Sequence, residues 1–343
     1  MQAVFLNTQF RPQFTSKNKE RWNFYGARPR GLLDKNDLSL TQASENSVLL
    51  VKRLMVTLLV FSLSGHASTA EHHHKNDPTK AEDKQELTHT FSFGLEQARY
   101  RYVEPDVYQS YINEADRQSG AWWMNLKGNL WGGFASYRLT WQEKLFIQPE
   151  FRILYGKHQY NWGQKKKIVS KTNHKIPSLL HESRLIVGGN ISFMNKNMTL
   201  SPYTGIGYRF KSDDSEEVKT SRTGENLGFY RKSNYVYVPL GASAEYKIDD
   251  TWSVSLKGEY DWIVKAWHYT RNKTIPKSVT DKQPNGYGLK GEGSLSYFYN
   301  KIKFSVSPYL NYWNIRNSKR SPDGGMEPYN ITWESGIKLG VTF

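Results

Sequence analysis

The last fifteen residues of the chain, 329–343 (YNITWESGIKLGVTF), alternate more cleanly than any other stretch. Tyr329, Ile331, Trp333, Ile337, Leu339, Val341 and Phe343 share one parity, broken only by Ser335. Asn330, Thr332, Glu334, Lys338 and Thr342 occupy the other, with Gly336 and Gly340 between them. Successive side chains of a strand point to opposite faces, so this segment presents one greasy face and one wet one. A soluble sandwich can use such a strand, and so can a closed barrel whose outer wall meets lipid.

The rest of the chain from Leu87 favours the barrel. Alternating segments fall at about 87–103, 123–140, 145–160, 180–193, 199–211, 233–248, 252–269, 287–298, 302–316 and 329–343. The connections after the second, fourth, sixth and eighth segments are short, and the others are long. Most segments exceed the roughly 9–11 residues that cross a bilayer as a tilted strand. On the first, Phe91, Phe93 and Leu95 share the lipid parity, and a switch near Gln97 would turn Tyr100 and Tyr102 outward through a bulge. Composition agrees. Only 38% of residues are hydrophobic, yet the chain holds 22 Tyr, 16 Phe and 11 Trp, which excludes a disordered chain. A barrel needs grease on one face only, with Trp and Tyr gathered at the two interfaces. The expectation is an all-β, closed, antiparallel up-and-down transmembrane barrel of about ten strands over residues 87–343.

A long alternating final strand ending in Phe343, with short and long connections in turn, resembles the outer-membrane β-barrel proteins of Gram-negative bacteria. The resemblance rests on pattern and points to no characterised family among them. It implies a place in the cell outer membrane, at the cell surface, among lipid and lipopolysaccharide. It also implies recognition by the barrel-assembly machinery through the C-terminal strand. A net charge of +15 suits anionic partners, of which lipopolysaccharide phosphate is the nearest. No nucleic-acid recognition motif accompanies that charge, and the absence of cysteine fits an exported chain.

Residues 51–70 (VKRLMVTLLVFSLSGHASTA) read as a signal peptide. Lys52 and Arg53 supply the basic start, Leu54 to Leu63 the apolar run, and small residues the cleavage site after Ala67 or Ala70. Residues 1–50 lack useful periodicity and are expected to be a non-native or disordered extension, with Val51 the true start. Residues 71–86 are charged and read as a flexible periplasmic lead-in, and adjacent His72, His73 and His74 make no preorganised metal site. No cofactor is implied.

The wet parity collects Glu150, Arg152, Glu182, Arg184, Arg209, Glu245, Lys247, Lys257, Glu259, Asp261, Lys265, Lys290, Glu292, Lys303, Glu334 and Lys338. A ten-stranded barrel is little wider than one that side chains fill, so these charges must pair. A charge-plugged lumen is the expectation, with a narrow, porin-like channel the alternative. Candidate chemistry is sparse. Ten strands match the architecture of the omptin family of outer-membrane proteases, but no His here is preceded two positions earlier by Asp. His181-Glu182-Ser183 resembles the His-x-Ser motif of outer-membrane lipid A deacylases. Positions i and i+2 share a strand face, which would let His181 act as base toward Ser183. The stronger signal is a basic crown on the outer loops: Lys165, Lys166, Lys167, Lys171, Lys175, Arg231, Lys232, Arg316, Lys319 and Arg320. Trp162, Tyr230, Trp267 and Tyr269 are expected near its rim. Together these features favour a structural or adhesive barrel contacting lipopolysaccharide or an anionic glycan rather than an enzyme.

Overall fold

The computed structural model describes residues 87–105, 122–164, 167–171, 176–219, 228–272, 277–283, 285–319 and 326–343. The segments read as extension, signal peptide and lead-in lie outside the described residues. Thirteen strand segments form one closed antiparallel sheet of ten staves. They are β1 (Leu87–Glu104), β2 (Trp122–Trp141), β3 (Leu145–Gln164), β4 (Lys167–Lys171), β5 (Ile176–Gly189), β6 (Ile191–Phe193), β7 (Met198–Asp214), β8 (Phe229–Lys247), β9 (Trp252–Asn272), β10 (Lys277–Gln283), β11 (Gly286–Tyr299), β12 (Ile302–Ile315) and β13 (Asn330–Thr342). β4, β5 and β6 make up one interrupted stave, with β4 and β5 both paired to β3 and with β5 and β6 both paired to β7, and β10 and β11 make another along β9. β13 closes the cylinder on β1 from Ser92↔Thr342 to Val103↔Ile331, and the Phe343 and Phe91 backbones exchange hydrogen bonds of 2.9 and 3.1 Å. Both termini of the barrel lie at the short-turn end, the periplasmic end of such a fold. Local chemistry makes the turns. Asp249 Oδ1 accepts the backbone N–H groups of Thr251 and Trp252, each at 2.7 Å, between β8 and β9.

The outer wall changes character partway up. Near the short turns its outward residues are apolar, ending at Leu95 on β1, Trp131 on β2 and Tyr155 on β3, which are 71%, 65% and 54% exposed. Above them the outward residues are polar: Gln97, Arg99 and Arg101 on β1, Asn125, Lys127 and Asn129 on β2, Lys157 and Gln159 on β3. The inward face inverts at the same height. Glu96 and Arg152 give way to Tyr100, Tyr102, Met124, Leu126, Trp162 and Ile176, all buried in the upper lumen. Below the transition the outer solvent is lipid; above it, water. Tyr100 and Tyr102 therefore point inward on an unbroken β1 ladder, and the expected bulge near Gln97 does not exist. The greasy residues changed parity because the surroundings changed, not because the strand did.

A bulge does occur on β9. Opposite Val236 and Tyr237 the register steps over Val264, and Val264 and the next residue, Lys265, both face outward. Lys265 thus stands on the outer wall, over the Trp267 ring at 5.3 Å, and not in the lumen where strict alternation placed it. The step also turns His268 inward.

Inside, aromatic rings lie over glycines on the neighbouring strand. Tyr237 faces Gly207, Tyr203 faces Gly241, Tyr309 faces Gly336 and Trp313 faces Gly288 across the ladders. A Cβ at Gly207 would run into the Tyr237 ring, whereas one at Gly291 meets nothing within 4 Å. Gly207→Ala should accordingly lower unfolding stability in vesicles by about 1–3 kcal/mol through overpacking, and Gly291→Ala by less than about 0.5 kcal/mol. Equal effects in denaturant titration would contradict this packing.

Candidate functional site

The wet parity meets across the barrel in one layer of ion pairs. Arg152 donates to Glu96 at 2.9 and 2.5 Å and to Glu334 at 2.9 Å, and lies 3.5 Å from Glu182. Glu334 also takes a guanidinium bond from Arg209 and is fully buried. Lys290 reaches Glu182 at 2.8 Å, Glu259 at 3.0 Å and Asp261 at 3.1 Å, while Arg184 ties Glu150 to Glu259. Phenols complete the layer: Tyr237 donates to Glu182, Tyr309 to Glu96 and Tyr203 to Glu259. These strands are far apart in sequence and pair only because the cylinder closes. Of the sixteen charges assigned to the lumen, Lys265 stands on the outer wall and Lys247 is exposed at the short-turn end of β8. Glu96 was missed because it follows Leu95 just where the apolar pattern of β1 breaks.

Below this layer, toward the short turns, is a cavity of about 260 Å³ bordered by Ser92, Gln148, Lys257, Lys303, Ser305 and Lys338. Above it the lumen is packed with apolar and aromatic side chains. Trp313 lies between Tyr235 and Tyr237, and Arg209 stands 4.9 Å from its ring centre.

Near the outer end, beyond the lipid-facing wall, a second polar group is buried. His268 Nδ1 stands 3.4 Å from Glu327 Oε1 and 3.0 Å from Ser233 Oγ. Burial, with Arg231 nearby, holds the imidazole down to about 3, and burial, with Glu104 nearby, pushes the Glu327 carboxyl up to about 8. Near pH 6 both groups are therefore uncharged. The Glu327 contribution to stability is whole below its unfolded value of 4.5 and is lost as pH rises through about 8. The His268 contribution runs oppositely, present above 6.5 and lost toward about 3. Hydrogen-exchange protection of the outer ends of β8, β9 and β13 should thus fall as pH rises from about 6.5 to past 8. Glu327→Gln should abolish that fall; an unchanged profile would refute the assignment.

The basic crown is only partly assembled at the rim. Lys171, Arg316 and Lys319 are exposed, and Lys232 stands 5.1 and 5.8 Å over the Tyr230 and Tyr269 rings. Arg231 instead turns into the lumen, 3.3 Å from buried Glu104, because its parity on β8 is the inward one. Trp162 is likewise buried in the upper core rather than at the rim. Lys165, Lys166, Lys175 and Arg320 lie outside the described residues, and of Lys167 only the backbone is described.

His181 and Ser183 both face outward on β5, and His181 Nε2 lies 2.7 Å from Ser183 Oγ. Their cross-strand neighbours are Ile153 and Phe151 on β3 and Phe210 and Tyr208 on β7. The pair therefore sits on the greasy wall just below Tyr155, with no carboxylate at any of the four flanking positions.

No protein-family model matches the chain, and no curated protein does. Among solved structures, the outer-membrane protease OmpT of Escherichia coli superposes with a TM-score of 0.54 at 12% identity, covering 75% of this chain and 96% of that one. OprG of Pseudomonas aeruginosa gives 0.32 at 10% identity, covering 74% and 95%, and Ail of Yersinia pestis gives 0.26 at 11%, covering 74% and 97%. The likeness to OmpT is one of fold; in this chain Ala266, not an aspartate, precedes His268 by two positions on the inner wall of β9. The closed ten-stave cylinder and its lipid-facing band identify the chain as a Gram-negative outer-membrane β-barrel, located in the cell outer membrane.

Proposed function

We propose that the protein is a non-enzymatic surface barrel, closed to conduction, whose basic outer end holds lipopolysaccharide or another anionic ligand such as an acidic glycan. The observation that carries this reading is Glu334 bridging Arg152 and Arg209 inside the barrel with no solvent exposure. Charges used as gates line open water; these are spent on one another. The closing strand β13, continued by Phe343, is the segment an assembly machinery would engage, with the Phe343 ring 5.8 Å from that of Phe93. In planar bilayers the purified protein should give no single-channel steps, and regular steps would overturn the sealed reading. Binding to a sulfated glycan matrix should weaken steeply with salt, because exposed charges are screened beyond about 10 Å at 0.1 M. Neutralising Lys165, Lys166, Lys167, Lys171, Lys232 and Lys319 should abolish it without altering heat-modifiable gel mobility.

The 2.7 Å contact supports a second reading, hydrolysis of an acyl ester in the outer leaflet. Ser183 Oγ would attack the ester carbonyl as His181 takes its proton, the imidazolium would return that proton to the departing alcohol oxygen, and water would then hydrolyse the acyl-serine to the free acid and Ser183. A hydrogen bond that satisfies two polar side chains on an apolar wall explains the same geometry. Lipid A mass spectra from cells carrying wild-type and Ser183→Ala protein decide between them: identical acyl patterns leave only the structural role.

A further inference from the structure

The outer wall carries a cationic patch that none of the loop residues contributes to. Arg99 and Arg101 on β1, Lys127 on β2 and Lys157 on β3 are all exposed and all point away from the lumen. The ladders bring them together: Arg99 pairs with Asn129 and Asn129 with Lys157, while Arg101 pairs with Lys127 and Lys127 with Gln159. Strands lie about 4.8 Å apart and alternate residues about 6.7 Å apart along a strand, so four cations share an area of roughly 10 by 7 Å. Among the described residues none of the four has an ion-pair partner. Most cations of the inner wall are paired; these are left to repel one another.

Their height is equally specific. Leu95, Trp131 and Tyr155 end the apolar wall directly beneath them, and aromatic side chains in such barrels mark the headgroup level. Two to six residues of tilted strand place the cations about 5–15 Å above that edge. Gln97, Asn129 and Gln159 intersperse amides that can bond sugar hydroxyls. A ligand matching this wall presents acyl chains below, sugar at the middle and phosphate above. We infer that the β1–β3 wall is a binding site for a phosphorylated glycolipid of the outer leaflet, lipopolysaccharide, seated alongside the barrel rather than over its mouth. The inference deepens the reading of the barrel as a surface protein with anionic contacts, but rests on none of the loop lysines.

The test is lipopolysaccharide binding by the full protein purified in detergent, using deep-rough lipopolysaccharide, its dephosphorylated form and inorganic phosphate as probes. Two variants are compared with wild type: Arg99→Gln/Arg101→Gln/Lys127→Gln/Lys157→Gln on the wall, and Lys171→Gln/Lys232→Gln/Lys319→Gln at the rim. The wall variant should lose at least about ten-fold in lipopolysaccharide affinity, since each cation near an anionic headgroup contributes separately. Dephosphorylated lipopolysaccharide should bind wild type and wall variant alike. Wall-variant affinity within two-fold of wild type would overturn the site. Competition by inorganic phosphate as strong as by lipopolysaccharide would overturn the lipid source in favour of a soluble anion. Loss of glycan binding in the rim variant alone leaves the surface-adhesion reading standing while this site falls; loss of lipopolysaccharide in the wall variant alone does the reverse. Should the quadruple variant not insert, the pairs Arg99→Gln/Arg101→Gln and Lys127→Gln/Lys157→Gln each carry the same comparison.

Discussion

Glu334→Ala should destabilise the barrel by about 3–5 kcal/mol, the cost of stranding a buried charge whose partner is removed. Glu334 accepts Arg152 Nη1 at 2.9 Å on one oxygen and Arg209 on the other, and no part of it reaches solvent. The two arginines are not equally exposed to the loss. Arg152 keeps Glu96 at 2.5 Å, while Glu334 is the one carboxylate that pairs with Arg209 among the described residues. The penalty should therefore come mainly from Arg209, and the double variant Glu334→Ala/Arg209→Met should recover more than half of it. Denaturant unfolding in lipid vesicles measures both. A cost below about 1 kcal/mol for the single variant would mean that water fills the layer, and the sealed lumen would fall with it.

Trp313→Ala should cost a similar amount, about 3–5 kcal/mol, for a different reason. Trp313 is fully buried above the ion-pair layer, its ring 6.1 Å from Tyr235 and 5.3 Å from Tyr237. It also rests against Gly288 and faces Arg209. Removing it leaves a void among rings that lean on the two walls and cannot collapse, and takes a cation–π partner from Arg209. Trp313→Phe should recover most of the loss. If Trp313→Ala unfolds like wild type, the upper lumen is not a packed core, and the barrel above the membrane owes its stability to its ladders alone.

The staves and the short turns were legible because period-two alternation survives wherever one face of a strand meets lipid and the other meets charge. The segments read as 145–160 and 252–269 need only small extensions to become β3 and β9, and 302–316 sheds one residue to become β12. The errors have a common origin. Tyr100 and Tyr102 were turned outward on the assumption of one outside solvent, but β1 passes from lipid into water at Gln97 and its inner face becomes the greasy one. Lys265 was sent inward by counting parity across a bulge whose extra residue, Val264, is as apolar as its neighbours. Arg231 was placed at the rim by its position beside a loop, when its inward parity on β8 gives it to Glu104.

The candidate sites divide the same way. His181 and Ser183 share a face by spacing alone, so their contact could be read from two letters. The wall patch could not. Arg99, Lys127 and Lys157 come from three strands, and their adjacency depends on register, which the hairpins and the ring closure decide. The chain by itself determined that there would be a barrel, which residues alternate, and that the inner charges had to pair, because a single strand's geometry dictates period two and a narrow lumen forbids lone ions. Only the tertiary structure decided which carboxylate meets which guanidinium, where lipid ends and water begins, and which cations are left without a partner. Those are distances between strands far apart in sequence, and a cylinder sets them only when it closes.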